Sequence, residues 1–531
     1  MSFELAILSL FAVATAVALF ARRFRVPYTV ALVVSGLALG SARMFTPPHL
    51  TRELLYAVFL PGLVFEAAFH LEFRKFWQNK LAIHALAVPG VIAAIAITAA
   101  LLTPAANALH FVEGFGLRHG LVFAAMIAAT DPIAVVGLFK SLGVPRRLAV
   151  LLEGESLLND GTGVVLFTLI FEAVSGAHFT ASQASLEFLR VVGGGALIGA
   201  AVGFTASRLT ALIEDPMVEI TLTTLAAYGS FLMAERVHFS GVIATVAAGM
   251  LCGNYGARVG MSPSTRVAVE SFWEYVAFAL NSVVFLLLGF EVRVPALVAA
   301  WKPILVAYVA VTLGRAIVVA IVAAALSRTR ERIPWTWGAV LGWGGLRGAL
   351  SMVLALALPQ SFPHRELIVT MTFGVVVLSI LIQGLTMGPL LKRLGLAGLG
   401  AERAAHERHR GALLAAKAAL QALAALEREG ATHPDILASL RERYTGRVAE
   451  AEGALREIHA RDAAWRGEEQ RGVERQLLVV EKDAILRAAR AGVIEHEASD
   501  ALLRDIDARI FAREEEGDLA DAPADHEGAS R

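Results

Sequence analysis

Apolar residues in the first 400 positions occur in runs that are long enough to cross a lipid bilayer. A membrane-spanning helix needs about 20 predominantly apolar residues, and short polar joints separate such runs here. The pattern predicts thirteen spans, at residues 3–21, 28–44, 53–71, 82–108, 120–141, 147–174, 188–209, 217–236, 239–254, 269–290, 297–326, 335–358 and 367–391. We therefore expect an all-α, polytopic membrane domain over residues 1–395.

Residues 396–512 show a different pattern, which is typical of amphipathic helices in water. Apolar residues recur there every three or four positions, as at Leu413, Ala416, Leu420 and Leu423. This spacing predicts a helical C-terminal domain that packs on itself or on a second protomer. Residues 513–531 begin with acidic positions and continue with Ala, Asp, Gly and Ser, a composition that predicts a disordered acidic tail.

The distribution of charge separates the same two parts of the chain. The 531 residues include 47 basic and 47 acidic side chains. Residues 1–400 contain 27 basic and 20 acidic side chains, and the 131 residues from 401 to 531 contain 20 basic and 27 acidic ones. Soluble proteins are roughly 25% charged, so the first part is too apolar for a soluble domain and the second is too polar for the membrane. The single cysteine and the lack of a basic excess argue against a disulfide-stapled or nucleic-acid-binding protein.

Basic residues in the joints predict the orientation, because Lys and Arg accumulate in cytoplasmic loops. If the N-terminus lies outside, the joints that face inward hold 17 Lys and Arg and the joints that face outward hold 8. The sequence thus predicts a multi-pass protein of the cell membrane with its N-terminus outside and its C-terminal domain in the cytoplasm.

A few polar residues fall inside the predicted spans, where an ionised side chain costs about 2.5–3.5 kcal/mol or more. The main ones are Glu66, Asp131, Glu155, Asn159, Asp160, Arg347 and Asn281. One isolated acid could equally be part of an ion pair that only locks helices together. Four acids and an arginine at mid-span favour a functional site instead, whereas for Arg315 and Glu153 a structural role is the preferred interpretation.

The spacing of these residues in span 6 indicates which of them act together. Residues 151–165 read LLEGESLLNDGTGVV, and helical residues three or four positions apart share a face. Asn159 therefore lies next to Glu155, and Asp160 lies next to Ser156. The second pair presents a hydroxyl and a carboxylate to one small cargo.

Two other spans contain residues that weaken a helix. In span 5, residues 128–135 read AATDPIAV, and Pro132 lacks a backbone donor and disfavours helix at Asp131. In span 12, residues 342–351 read GWGGLRGALS, with four glycines around Arg347. Interrupted helices in both halves of a transporter mark the ion site in inverted-repeat folds.

Together these motifs resemble those of monovalent cation:proton antiporters, in the NhaP-type, sodium/proton-exchanger-like branch. The resemblance rests on ATDP in span 5, EGESLLNDGTG in span 6, LVFEAAFHL around Glu66, FALNSVVFLLLG around Asn281 and GWGGLRGALS in span 12. It implies thirteen helices in inverted repeats, with unwound and crossed helices 5 and 12. It also implies a homodimer in membrane lipid that is not an enzyme and needs no cofactor.

The resemblance assigns the transported monovalent cation and the proton to one site. Asp160 would be the carboxylate that binds both, and the Ser156 hydroxyl, the Thr130 carbonyl and Glu66 would complete the set of cation ligands.

Other roles are implied in the same way. Asn159 would fill the position before the carboxylate, and Asp131 would stabilise the broken helix 5 and contribute to binding. Glu155 and Arg347 would form a structural ion pair between helices 6 and 12.

The expected chemistry follows from one carboxylate with two competing partners. Hard cations such as Na⁺ and Li⁺ prefer oxygen ligands, and a desolvated carboxylate favours its protonated form. With Asn159 neutral and Glu155 compensated, a single charge at Asp160 predicts electroneutral exchange of one cation for one proton.

Other functions remain open at this stage. A K⁺/H⁺ antiporter with a regulatory cytoplasmic tail is the main alternative, because cavity size and angles decide cation selectivity. A channel or a carrier of organic solutes is less favoured because the polar set is small. An intramembrane aspartyl protease that uses Asp131 and Asp160 as general acid and base is the remote alternative.

Overall fold

The computed structural model describes residues 3–24, 27–41, 54–176, 180–213, 215–257, 260–429 and 433–461, together with scattered residues between 474 and 509. The chain divides into two compact units, Met1–Ala397 and Gly398–Arg531. Regular structure in the described residues is helical. The predicted disordered tail at 513–531 lies outside the described residues.

The described part of the first unit contains, besides two short helices, thirteen main ones, with interrupted helices counted once. They are α1 (Phe3–Phe24), α2 (Tyr28–Ser41), α3 (Leu55–His70), α4 (Lys80–Ala108), α5a (Leu117–Met126), α5b (Ile133–Leu142), α6 (Arg146–Val174), α7 (Ala181–Thr210), α8 (Pro216–Arg236), α9 (Gly241–Gly256), α10 (Pro263–Glu291), α11 (Trp301–Ala325), α12a (Trp335–Trp343), α12b (Ala349–Ala357) and α13 (Arg365–Arg393). Two short helices, Phe73–Gln78 and Val294–Ala299, lie in the joints before α4 and α11.

Seven of these helices, α4, α6, α7, α8, α10, α11 and α13, are long and apolar enough to cross a membrane. Several others are apolar but shorter, including both halves of helix 5. The predicted all-α, polytopic membrane fold is confirmed, and its helices follow the predicted spans closely. Helices 5 and 12 are short because each stops at an interruption and starts again.

Close packing of α7 on α9 depends on glycine. A side chain at Gly199 would overlap the backbone carbonyl of Ala244, and one at Gly195 would overlap the carbonyl of Ser240. Small residues of this kind let two helix backbones approach each other within a membrane. Glycine in α7 therefore has a packing role.

The second unit contains two longer described helices, α14 (Leu399–Glu429) and α15 (Pro434–Arg461), which pack against each other. Ala416 and Leu423 of α14 are buried, as are Leu437 and Leu455 of α15. An ion pair between Lys417 and Glu452, at 3.0 Å, links the exposed edges of the two helices. The apolar stripe predicted for this region thus forms the contact within a helical pair.

Candidate functional site

The two interruptions, in helices 5 and 12, lie against each other. The backbone amide of Asp131, between α5a and α5b, donates a hydrogen bond to the carbonyl of Leu346, between α12a and α12b, at 2.8 Å. The predicted unwound segments are therefore present, and they meet. Backbone polar groups that would otherwise be exposed to lipid are satisfied within the protein at this meeting point.

The break in helix 5 follows from Pro132 and is stabilised by Asp131. Proline cannot donate the backbone hydrogen bond that a continuous helix requires. The Asp131 carboxylate accepts a hydrogen bond from the amide of Ile133, the first residue of α5b, at 3.0 Å. The carbonyls of residues 128–130 are left outside the regular helical ladder and are available to other groups.

Glycines in the break of helix 12 allow polar side chains to approach the backbone. A Cβ atom at Gly345 would overlap the guanidinium of Arg315, and a Cβ atom at Gly348 would overlap the carboxylate of Asp131. The amide of Arg347, between these glycines, donates to the Ser379 hydroxyl of α13 at 3.1 Å. At Gly345 and Gly348, glycine is thus required by the close approach of a side chain.

Helix α6 attaches to the break in helix 5 through two buried side chains. The Ser156 hydroxyl donates to the carbonyl oxygen of Thr130 at 2.5 Å. The Asn159 amide donates to the carbonyl oxygen of Ala128 and to the Thr130 hydroxyl, both at 3.2 Å. The structure therefore brings Ser156, Asn159 and Thr130 together.

Arg347 also binds the break in helix 5, from the opposite helix. Its guanidinium donates to the carbonyl of Ala128 at 2.7 Å and to that of Ala129 at 3.2 Å. Arg347 is buried, and within the described part of the chain its side-chain hydrogen bonds go to carbonyl oxygens and not to a carboxylate. It supplies a positive charge where helices 5 and 12 meet.

The predicted ion pair between Glu155 and Arg347 is wrong, because Glu155 pairs with Arg315 of α11. The two guanidinium Nη atoms of Arg315 bind the two carboxylate oxygens of Glu155 at 3.0 and 2.9 Å, and Glu155 is only 1% exposed. The Arg315 Nε donates to the carbonyl of Leu341 at 3.0 Å. A two-pronged arginine–carboxylate contact of this kind is a strong interaction, and it leaves Arg347 to the carbonyls.

Sequence reasoning assigned Arg315 a structural role but missed that it is the partner of Glu155. Its position at mid-span in α11 was a signal, since a charge there needs a partner. By this criterion Arg315 and Arg347, which lie in neighbouring spans, were equally suitable partners for Glu155. Only the packing of α11 against α12a decides between them.

Asp160 lies one turn beyond Ser156 on the same face of α6 and is partly buried. Asp131 and Glu155 are acids whose negative charges act on Asp160. Among the residues that the structure describes, no hydrogen bond or ion pair satisfies the Asp160 carboxylate. An ionised Asp160 is therefore unfavourable until a proton or a cation joins it.

Glu66 is the one predicted ligand that has different neighbours in the structure. Its carboxylate lies 3.3 Å from Nδ1 of His70, which also contacts the Glu66 carbonyl at 3.0 Å. Its other charged neighbour is Glu153 on α6. Within the described residues, no hydrogen bond or ion pair joins Glu66 to Asp160 or Ser156, so the ligand role of Glu66 stays a prediction.

The assembled groups suit a small, hard cation and a proton. They offer a carboxylate, a hydroxyl and a backbone carbonyl, all of them oxygen donors. When all are ionised, the three carboxylates and two guanidiniums of this region leave one negative charge in excess. These groups are Asp131, Glu155, Asp160, Arg315 and Arg347. One monovalent cation or one proton at Asp160 cancels that excess.

Comparison with known proteins identifies the family. The family described as "Sodium/hydrogen exchanger, transmembrane" matches residues 7–393. The Na⁺/H⁺ antiporter ApNhaP of Aphanothece halophytica is 35% identical over 485 residues, which cover 90% of this chain and 91% of that protein. The Na⁺/H⁺ antiporter NhaS2 of Synechocystis is 33% identical over 512 residues, which cover 95% of this chain and 92% of that protein.

The fold is also that of a solved structure. The sodium proton antiporter MjNhaP1 of Methanocaldococcus jannaschii superimposes with a TM-score of 0.61 at 19% identity, over 74% of this chain and 100% of that one. The family match, over residues 7–393, includes the motifs of helices 5, 6 and 12. On this evidence the chain belongs to the sodium/hydrogen exchanger family, whose members are membrane transporters and not enzymes.

Proposed function

We propose that this protein exchanges Na⁺ for H⁺ across the cell membrane, one for one, with the two ions competing for Asp160. The observation that carries the proposal is the Asp160 carboxylate, which has no hydrogen-bond or ion-pair partner among the described residues. It lies on the same face of α6 as Ser156, whose hydroxyl binds the Thr130 carbonyl. The names of the related antiporters support Na⁺ as the cation.

Competition follows from the charges around Asp160. Repulsion from Asp131 and Glu155 and partial removal from water both disfavour the bare carboxylate. A proton neutralises the oxygen directly, and a cation neutralises it through contact while Ser156 and Thr130 supply further oxygen ligands. Because both partners use the same oxygens, each excludes the other.

Binding a cation requires a rearrangement of the Ser156 hydroxyl. In the structure this hydroxyl points its hydrogen at the Thr130 carbonyl, so both oxygens are engaged with each other. A cation placed between them would need both oxygens turned toward it, and the hydroxyl hydrogen would have to point elsewhere. The hydrogen bond therefore favours the proton-loaded site and opposes the cation-loaded one.

Exchange then requires that the site be exposed to one side of the membrane at a time. Moving an unpaired carboxylate through apolar surroundings is costly, whereas a carboxylate with a proton or a cation is neutral. We propose that the core changes its exposure only in these two neutral forms, so each cation that crosses is exchanged for a proton.

The revised ion pairs support the one-for-one ratio. Glu155 is compensated by Arg315, and Arg347 supplies a positive charge at the same break as the negative Asp131. Asn159 is neutral. The net charge that remains is the single charge of Asp160, which one Na⁺ or one H⁺ cancels.

The test is dissipation of a pH gradient in everted vesicles on addition of Na⁺, Li⁺ or K⁺. We expect Na⁺ to collapse the gradient with the parent protein and not with Asp160→Ala. The matched control is Glu172→Ala, which removes an exposed carboxylate from the same helix and should leave exchange unchanged. Exchange by Asp160→Ala at the parent rate would overturn the assignment of the site to Asp160. Collapse of the pH gradient by K⁺ but not by Na⁺ would overturn Na⁺ as the transported cation.

A further inference from the structure

The short helix Phe73–Gln78, in the joint before α4, exposes aromatic side chains beside basic ones. Phe73 is 46% exposed and Trp77 is 54% exposed, and their rings stack with centroids 5.7 Å apart. The ammonium of Lys80 lies 4.2 Å from the centre of the Trp77 ring. Amphipathic aromatic rings and lysine are typical of the level of lipid headgroups.

The opposite side of this short helix is fixed to α6, the helix that carries Asp160. Phe76 is only 6% exposed, and a Cβ atom at Gly154 of α6 would lie 3.2 Å from its ring. Nearby, the Arg147 Nε donates to the Asn79 side chain at 2.7 Å. The aromatic face of the helix is therefore held outward by contacts to α6 on its inner face.

A second basic and aromatic segment adjoins it, between the end of α11 and the start of α12a. The carboxylate of Glu331 accepts a hydrogen bond from the amide of Ala82 at 2.8 Å, and Arg147 donates to the carbonyl of Arg332 at 3.3 Å. Arg332 is exposed, and Trp335 is 69% exposed. Both segments thus lie at the same end of the helical bundle.

We name this surface the basic–aromatic rim; its members are Phe73, Arg74, Trp77, Lys80, Arg332 and Trp335. Arg74 is exposed, and among the described residues no carboxylate pairs with Arg74, Lys80 or Arg332. The acids nearby are engaged elsewhere, because Glu72 pairs with Lys75 and Arg146 and Glu331 binds Ala82. The rim therefore has an uncompensated positive charge next to exposed apolar rings.

We propose that the basic–aromatic rim binds the phosphate headgroup of an anionic phospholipid, and that the bound lipid stabilises the attachment of the short helix to α6. The three cations match an anionic phosphate, and the aromatic rings match the boundary between headgroup and acyl chain. A phosphate free in solution would satisfy the cations but would leave the rings exposed to water. The occupant is thus a lipid of the bilayer.

The test measures lipid binding to the purified, full-length protein by native mass spectrometry and by the unfolding temperature in detergent, with phosphatidylglycerol or phosphatidylcholine added. Phosphatidylglycerol should bind and raise the unfolding temperature, and phosphatidylcholine should not. The variant Lys80→Gln/Arg332→Gln should bind phosphatidylglycerol roughly 30-fold more weakly, because each cation lost near an anionic lipid weakens binding by about fivefold. The variant Lys80→Arg/Arg332→Lys, which keeps both charges, should bind as the parent does.

The matched control is Trp301→Ala/Lys302→Gln. It removes another exposed tryptophan with a lysine beside it, at 5.7 Å, from the start of α11 and hence from the other end of the bundle. Phosphatidylglycerol binding by this control should equal that of the parent. The proposal would be overturned if the control lost as much phosphatidylglycerol binding as Lys80→Gln/Arg332→Gln, or if Lys80→Gln/Arg332→Gln bound phosphatidylglycerol as the parent does. Displacement of phosphatidylglycerol by soluble glycerol phosphate at similar concentration would overturn the lipid as occupant.

Discussion

Arg315 and Arg347 both lie in the core but bind different groups. Arg315 binds a carboxylate with both Nη atoms, and Arg347 binds two carbonyls of the helix 5 break. Removing one partner of a buried ion pair leaves an uncompensated charge and costs about 3–5 kcal/mol. The two arginines should therefore respond differently when Glu155 is changed.

A double-mutant cycle tests this difference. Glu155→Gln and Arg315→Gln should each lower the unfolding temperature in detergent strongly, and the double variant should be more stable than the sum of the two effects predicts. The coupling free energy should fall within about 0.5–3 kcal/mol, as for residues in direct contact. The matched cycle with Arg347→Gln in place of Arg315→Gln should show the smaller coupling. A larger coupling for Arg347 than for Arg315 would restore the pair that the sequence suggested.

The candidate residues could be predicted from the sequence to the extent that their neighbours lie on the same helix. Ser156, Asn159 and Asp160 have spacings that fix their faces, and the structure places the first two against Thr130. Glu155 and Arg315 are 160 positions apart, and Glu66 lies on a different helix from Asp160. No local pattern encodes those distances, so the partner of Glu155 and the neighbours of Glu66 depended on helix packing.

The element that defines the site is the pair of breaks in helices 5 and 12. Pro132 and the glycines around Arg347 interrupt hydrogen bonding locally, so both breaks could be predicted from the sequence. Their contact through Asp131 and Leu346 could not, because it depends on how two distant helices cross. The same contact explains why glycine is needed at position 348, where the backbone passes the Asp131 carboxylate.

Gly348→Ala should therefore impair exchange. The added Cβ atom would lie closer than 3 Å to the Asp131 carboxylate, and overpacking of this kind costs about 1–3 kcal/mol. We expect a lower unfolding temperature and a lower rate of Na⁺-dependent pH-gradient dissipation.

The matched control for this change is Gly342→Ala. At that position the nearest atom would be Cα of Ala316, at 3.8 Å, an ordinary van der Waals contact. Parent-like stability and exchange are expected for Gly342→Ala. If Gly348→Ala behaved in the same way as this control, the tight contact between the two breaks would not matter for function.

At the scale of the whole molecule, the net charge of the chain differs from the net charge of the core around Asp160. The chain as a whole has as many basic as acidic residues, whereas the core around Asp160 has an excess of one acid. Only this local excess must be neutralised before the core changes its exposure. The transported charge per cycle should therefore be zero.

Electroneutral exchange predicts that the membrane potential has no effect on rate. In proteoliposomes, Na⁺-dependent proton movement should be equally fast with the potential clamped at zero by valinomycin and K⁺ and with the potential free to develop. Solid-supported membrane recordings should show no Na⁺-dependent current. A sustained current, or acceleration by the clamp, would mean that more than one charge accompanies each exchange and that Asp131 or Glu66 also carries protons.

The most direct test of the central claim, that Na⁺ and H⁺ compete for Asp160, is the dependence of the apparent KM for Na⁺ on pH. Initial rates of exchange should be measured in proteoliposomes at a series of pH values on the side where Na⁺ binds. The pH difference across the membrane is held constant throughout the series. We expect KM to rise by up to about tenfold for each pH unit of acidification, because protons then occupy the site, while the maximal rate at saturating Na⁺ is little changed. A KM that is independent of pH, with the rate alone falling in acid, would contradict a shared site at Asp160.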